Sequence, residues 1–163
     1  NIPGGELYTA LQTGVIDATE WVGPYNDLAF GFQQIAKYYY FPGWHEPGSM
    51  LEFIINLDAW NELPTHLQSI VKTAAKAVNQ DLLDEYTAMN NQALRELIDV
   101  HNVQLKKLPD DVINEFRVIS KSVLDEIAEN DNQFKSIYES YLKFKSEVVS
   151  YHEISEDAYT KIR

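Results

Sequence analysis

Residues 64–102, PTHLQSIVKTAAKAVNQDLLDEYTAMNNQALRELIDVHN, decide how the rest of the chain is read. Pro64-Thr65 is a helix start. After it Val71, Ala75, Val78, Leu82, Tyr86, Met89, Ala93 and Leu97 recur at three- and four-residue steps, with no Gly or Pro before Pro109. The spacing predicts one helix over about 64–102. At about 1.5 Å per residue it would be roughly 58 Å long, against roughly 40 Å for the diameter of a compact globule of this size. Such a helix must kink, or lie along a partner that this chain alone does not supply.

On either side of its start the composition changes. All seven glycines, four of the six prolines and half of the aromatic residues precede residue 49. Residues 1–60 carry 7 acids and the single base Lys37, whereas residues 61–163 carry 18 acids and 12 bases. The front therefore reads as loops, short strands and a site, and the rear as charged helices. In the front, Glu6–Thr13 reads as a helix closed by Gly14, Val15–Trp21 as a short strand running into a loop, and Pro24 as the first turn of a helix to about Ala36. Tyr38–Phe41 reads as a strand, Pro42–Gly48 as a dense loop and Met50–Asn56 as a third, mostly buried strand. In the rear, Val103–Leu108 is a short strand or connector, Pro109 starts a helix with Asp110 and Asp111 in its first turn, and Phe134–Ile162 is mostly helical. Phe134, Ile137, Tyr138, Tyr141, Leu142 and Val148 mark an apolar stripe on that last segment. Helices alternating with short strands predict an α/β layer whose other strands lie outside this chain.

A net charge of −12 argues against nucleic acid and anionic membranes, because both repel a surface of this sign. The absence of cysteine excludes disulfides, thiolate zinc sites and cysteine catalysis. No run approaches the roughly 18 to 20 apolar residues that span a bilayer. Asn1 opens the chain and the first methionine is Met50, which reads as a processed product or a fragment. Enzyme signatures fail in turn. His45-Glu46 lacks the second histidine of a zinc-protease motif, since position 49 is Ser49. His66, His101 and His152 have no ligand spacing to one another, and there is no nucleophile elbow, phosphate loop or dinucleotide fingerprint.

What remains is Glu20-Trp21 and Trp44-His45-Glu46, two clusters of acid and aromatic at a strand end and in the Gly/Pro loop. Loops at strand ends are where open α/β sheets place ligands. One reading makes both tryptophans core anchors and both glutamates solvated loop charges. The other makes the two carboxylates converge on a hard cation, sodium or calcium, because the donors are oxygen only. Tyr8, Tyr25 and Tyr38–Tyr40 are either pocket walls or core.

The front sixty residues resemble a known family closely. Gly4-Gly5-Glu6-Leu7-Tyr8, Ala10-Leu11-Gln12-Thr13-Gly14-Val15-Ile16-Asp17-Ala18, Glu20-Trp21-Val22-Gly23-Pro24-Tyr25-Asn26-Asp27, and Tyr38-Tyr39-Tyr40 with Pro42-Gly43-Trp44-His45-Glu46-Pro47-Gly48 are similar to the C-terminal half of a periplasmic solute-binding protein of the TRAP transporter type. The subgroup they resemble most binds α-keto acids and related 2-oxo or 2-hydroxy monocarboxylates. The resemblance implies an α/β fold, the C-terminal portion of a two-lobed binding protein with one very long helix across both lobes and a helical C-terminus. It implies that 1–60 form part of a ligand-binding lobe, that 61–163 form the lobe-spanning helix and the C-terminal helices, and that the N-terminal lobe is missing. It further implies no catalysis, a metal ion bridging the substrate carboxylate, and Glu20, Trp21 through its carbonyl, and Glu46 as metal ligands. Trp21, Glu20, Tyr25 and Trp44 would contact the substrate. Partners would be a small organic carboxylate, the TRAP membrane permease and a second copy through an exchanged C-terminal helix, unless that helix folds back on its own lobe. Physics agrees on the metal, since two carboxylates would repel an anionic substrate unless a cation sat between them. The rivals are a receptor for C4-dicarboxylates, a non-catalytic helical interaction module, and a hydrolase with its nucleophile upstream.

Overall fold

A computed structural model of the chain describes residues 1–44, 46, 48 and 51–163. They form two compact units, Asn1–Leu108 and Pro109–Arg163.

The first unit begins with α1, Gly4–Gln12. Its end is set by Gly14, whose φ of +72° belongs to the left-handed region that glycine enters without a Cβ penalty. The turn lets Val15 and Ile16 N–H donate to the Ala10 carbonyl at 2.9 and 3.3 Å. Those bonds remove the strand expected over Val15–Trp21. Two of its donors are spent on the preceding helix, Val15 is 73% exposed, and no residue of the segment joins a ladder. α2 covers Pro24–Phe30, shorter than expected, because Gly31 at φ +84° ends it and Phe32–Gln34 continue only as a 3-10 turn.

β1, Tyr38–Phe41, forms as expected. After it, His45 and Pro47 of the loop, Ser49, and Met50 at the head of the expected third strand lie outside the described residues. From Leu51 to Asn56 no strand forms, and Leu51, Phe53 and Ile54 are 72%, 71% and 85% exposed. Their apolar character promised burial, but no strand among the described residues pairs with them to take their backbone bonds. Asn56 instead caps α3, Leu57–Glu62, accepting from the Asp58 and Ala59 N–H groups at 3.0 and 3.1 Å.

The decisive helix is α4, Thr65–Asp99. It packs against α2 and buries Ala93 and Leu97, one turn apart near its C-terminal end. β2, Gln104–Lys107, then lies parallel to β1, with Tyr38 opposite Gln104 and Phe41 opposite Lys107. Of the short strand or connector expected over Val103–Leu108 the structure has the strand, and the long crossover through α3 and α4 is what a parallel pair requires. Among the described residues of the unit, Leu7, Ala10, Phe32, Ala93, Leu97 and Val103 are the buried apolar side chains.

The second unit holds α5 (Asp110–Asn130), α6 (Asn132–Ile154) and α7 (Glu156–Ile162). Asp131, the single residue between α5 and α6, caps α6 by accepting from the Gln133 and Phe134 N–H groups. The mostly helical segment expected over Phe134–Ile162 is present, broken once at Ser155.

Candidate functional site

The connection from α1 to α2 carries Glu20 and Trp21. Trp21 is half-buried. Its indole packs on Phe30, ring centroids 5.1 Å apart, and lies so close to Gly4 that a Cβ there would stand 2.6 Å from the ring. Glu20 is exposed beside it. Tyr25, in the first turn of α2, is fixed from α4: its N–H donates to Asn90 Oδ1 at 2.9 Å, its hydroxyl to Glu85 Oε1 at 3.4 Å, and its ring meets Tyr86 edge-on at 6.0 Å. Gly23 gives α2 no side-chain cap of its own, so Asn90 serves as its N-cap from 65 residues away. Trp44, 45% exposed, and Glu46, exposed, follow β1. His45 between them lies outside the described residues.

The joint between these segments is Asp27, which sequence reading passed over. It is buried, and its two oxygens face different elements. Oδ1 accepts from the Val22 and Gly23 N–H groups at 3.4 and 3.3 Å, and Oδ2 accepts from the Tyr39 hydroxyl at 2.5 Å. Burial pushes the Asp27 carboxyl above the usual carboxylate range, with these three donors pulling the other way. Burial and the adjacent Asp27 carboxylate both push the Tyr39 hydroxyl far up, so it stays a donor. The local clue was an acid a few residues after Gly23-Pro24, where an acidic side chain can reach back to the amides that precede a helix. The Tyr39 partner had no local clue.

The residues present suit a hard cation in donor type. Glu20 and Glu46 offer carboxylates and Trp21 a backbone carbonyl, all oxygen. Among the described residues no three Asp, Glu or His side chains cluster to hold an ion by themselves. Two other histidines pair locally: His101 lies 3.7 Å from Glu96, and His152 Nδ1 is 2.8 Å from Glu156. No helix among the described residues is long and apolar enough to cross a membrane.

Comparison with known proteins bears on this arrangement. Residues 1–131 match the family of bacterial extracellular solute-binding proteins, family 7. The chain is 39% identical over 158 residues to the monocarboxylate 2-oxoacid-binding periplasmic protein of Nostoc sp., covering 97% of this chain and 43% of that protein. A TRAP periplasmic solute-binding protein of Pseudoalteromonas atlantica, crystallised with sodium and pyruvate, is 37% identical with a TM-score of 0.92, covering 99% of this chain and 49% of that one. A TRAP transporter solute-binding protein of Bordetella bronchiseptica, a dimer with copurified calcium and picolinate in one active site, is 34% identical with a TM-score of 0.91, covering 99% and 48%. The chain spans less than half the length of these relatives.

Proposed function

We propose a receptor function: this chain belongs to the bacterial extracellular solute-binding proteins of family 7, and the protein it helps to build captures a small 2-oxo or 2-hydroxy monocarboxylate. It does so in the periplasm with sodium or calcium, and delivers the acid to the membrane permease of a TRAP transporter. The observation that supports this most is the likeness, over nearly the whole chain, to a protein crystallised with sodium and pyruvate.

In this reading Glu20, the Trp21 carbonyl and Glu46 hold the cation. Bound there, the cation supplies the positive charge that lets an anionic acid approach two carboxylates. Trp21, Glu20, Tyr25 and Trp44 line the place of the substrate. The tryptophans give apolar walls that accept a short aliphatic tail, while the glutamates disfavour a second carboxylate on the ligand. The receptor performs no chemistry. Its functional event is closure of two lobes around the acid, with α4 laid across both. Two copies associate through their C-terminal helices.

Calorimetry on the full-length receptor tests the reading. Pyruvate or lactate should bind more tightly than propionate or succinate by about 1–3 kcal/mol, the worth of a charge-assisted contact. Binding should require sodium or calcium. Glu46→Gln should weaken cation and substrate together, with Glu20→Gln acting in the same direction. Unchanged affinity in Glu46→Gln removes that residue from the metal site, and succinate ahead of pyruvate points to a dicarboxylate receptor.

A further inference from the structure

Asp27 is the one buried charged side chain among the described residues, and nothing in the function proposed above employs it. A carboxylate is costly to bury unless its oxygens are well hydrogen-bonded, and an apolar side chain would serve packing alone as well or better. The partners of Asp27 show what the cost sustains. Oδ1 holds the amides of Val22 and Gly23, the two residues that directly follow Glu20-Trp21. Oδ2 holds the hydroxyl of Tyr39, in the strand that runs out into Trp44 and Glu46. Tyr39 is in turn fixed by the parallel register that sets it opposite Leu105. One side chain therefore bonds both segments that carry the proposed ligands.

We propose that Asp27 and Tyr39 form a positioning clamp that fixes the Glu20-Trp21 segment relative to the β1 end leading to Trp44 and Glu46, and so sets cation and substrate affinity. The proposal rests on the receptor reading. Neither residue touches the ligand in it. The effect passes through the backbone at Val22 and Gly23 on one side and along β1 on the other. Residues that orient metal ligands in this indirect way typically change affinity by about 10- to 100-fold when removed.

Tyr39→Phe is the deciding variant, because it removes one hydroxyl and leaves the ring, the strand and the bonds from the Val22 and Gly23 amides to Asp27. Asp27→Asn is the conservative partner: its oxygen can still accept from the amides, and its NH2 can donate to the Tyr39 oxygen. Pyruvate binding by the full-length receptor would be measured calorimetrically against rising sodium chloride or calcium chloride, with circular dichroism melting run in parallel. The expected result is a rise of about tenfold or more in the cation concentration that half-saturates pyruvate binding in Tyr39→Phe. Asp27→Asn should stay closer to wild type, and both variants should remain folded at the temperature of measurement. A purely structural role would shift the melting temperature and leave the cation requirement unmoved. If wild type shows cation-dependent binding and Tyr39→Phe matches it, the clamp is overturned and the receptor reading stands. If wild type binds pyruvate with neither cation, both are overturned.

Discussion

Gly4 and Gly5 are adjacent at the start of α1, yet space divides them. A Cβ on Gly4 would stand 2.6 and 2.9 Å from two carbons of the Trp21 indole, whereas one on Gly5 would meet nothing within 4 Å. Alanine at 5 should therefore stabilise the receptor by up to about 1 kcal/mol through helix propensity. Alanine at 4 must displace an indole already packed on Phe30, and should cost about 1–3 kcal/mol as overpacking does. Urea unfolding of the two variants measures the contrast. Trp fluorescence should move in Gly4→Ala and not in Gly5→Ala. Equal effects would mean that Trp21 is free to swing aside. If Trp21 supplies a carbonyl to the cation, Gly4→Ala should weaken pyruvate binding as well.

Among the elements, caps separate what is local from what is not. Asn56 caps α3 and Asp131 caps α6 from the adjoining residue, although the apolar run before it made Asn56 read as the end of a strand. α2 borrows its cap from Asn90 on α4, so two elements far apart in sequence share one hydrogen bond. Asn90→Ala should destabilise the receptor by about 1–2 kcal/mol, while Asn90→Asp, which keeps the acceptor and adds a negative charge at the helix start, should cost less. Chemical denaturation of both variants checks the order. The reverse order would mean that Asn90 acts by packing against Gly23, 3.2 Å from where a Cβ would lie, rather than by capping.

At the scale of the whole molecule, apolar surface remains to be covered. Along α4, Ile70, Val78 and Leu83 are 60%, 64% and 59% exposed, and its buried residues fall only near its C-terminal end. A helix of this length covering two lobes, as proposed, would have that surface met by the other lobe. On α6, Ile137, Tyr141 and Phe144 are 63%, 54% and 62% exposed, a stripe that soluble proteins usually reserve for contacts. The proposed second copy would cover it. Sedimentation of the full-length receptor truncated after Asn130 should show a monomer where the intact protein is a dimer. An intact protein that is already monomeric removes the association.

The sequence by itself determined the elements whose causes are local. Period, proline and capping residues placed α4 within a few residues of its observed ends, put α5 after Pro109, and marked β1 by its aromatic run. The Glu20-Trp21 and Trp44-His45-Glu46 motifs pointed to the family that residues 1–131 match. Apolar runs misled where a strand needs a neighbour: Val15 and Ile16 spend their amides on Ala10, and Leu51–Asn56 form no ladder. Only the tertiary structure decided that β2 pairs in parallel with β1, that Asn90 caps α2, and that Asp27 joins Val22 and Gly23 to Tyr39. The physical reason is the same in each case. A helix closes its hydrogen bonds within four residues, so its pattern is written locally, whereas a strand pair, a borrowed cap and a buried carboxylate take their partners from wherever the chain returns.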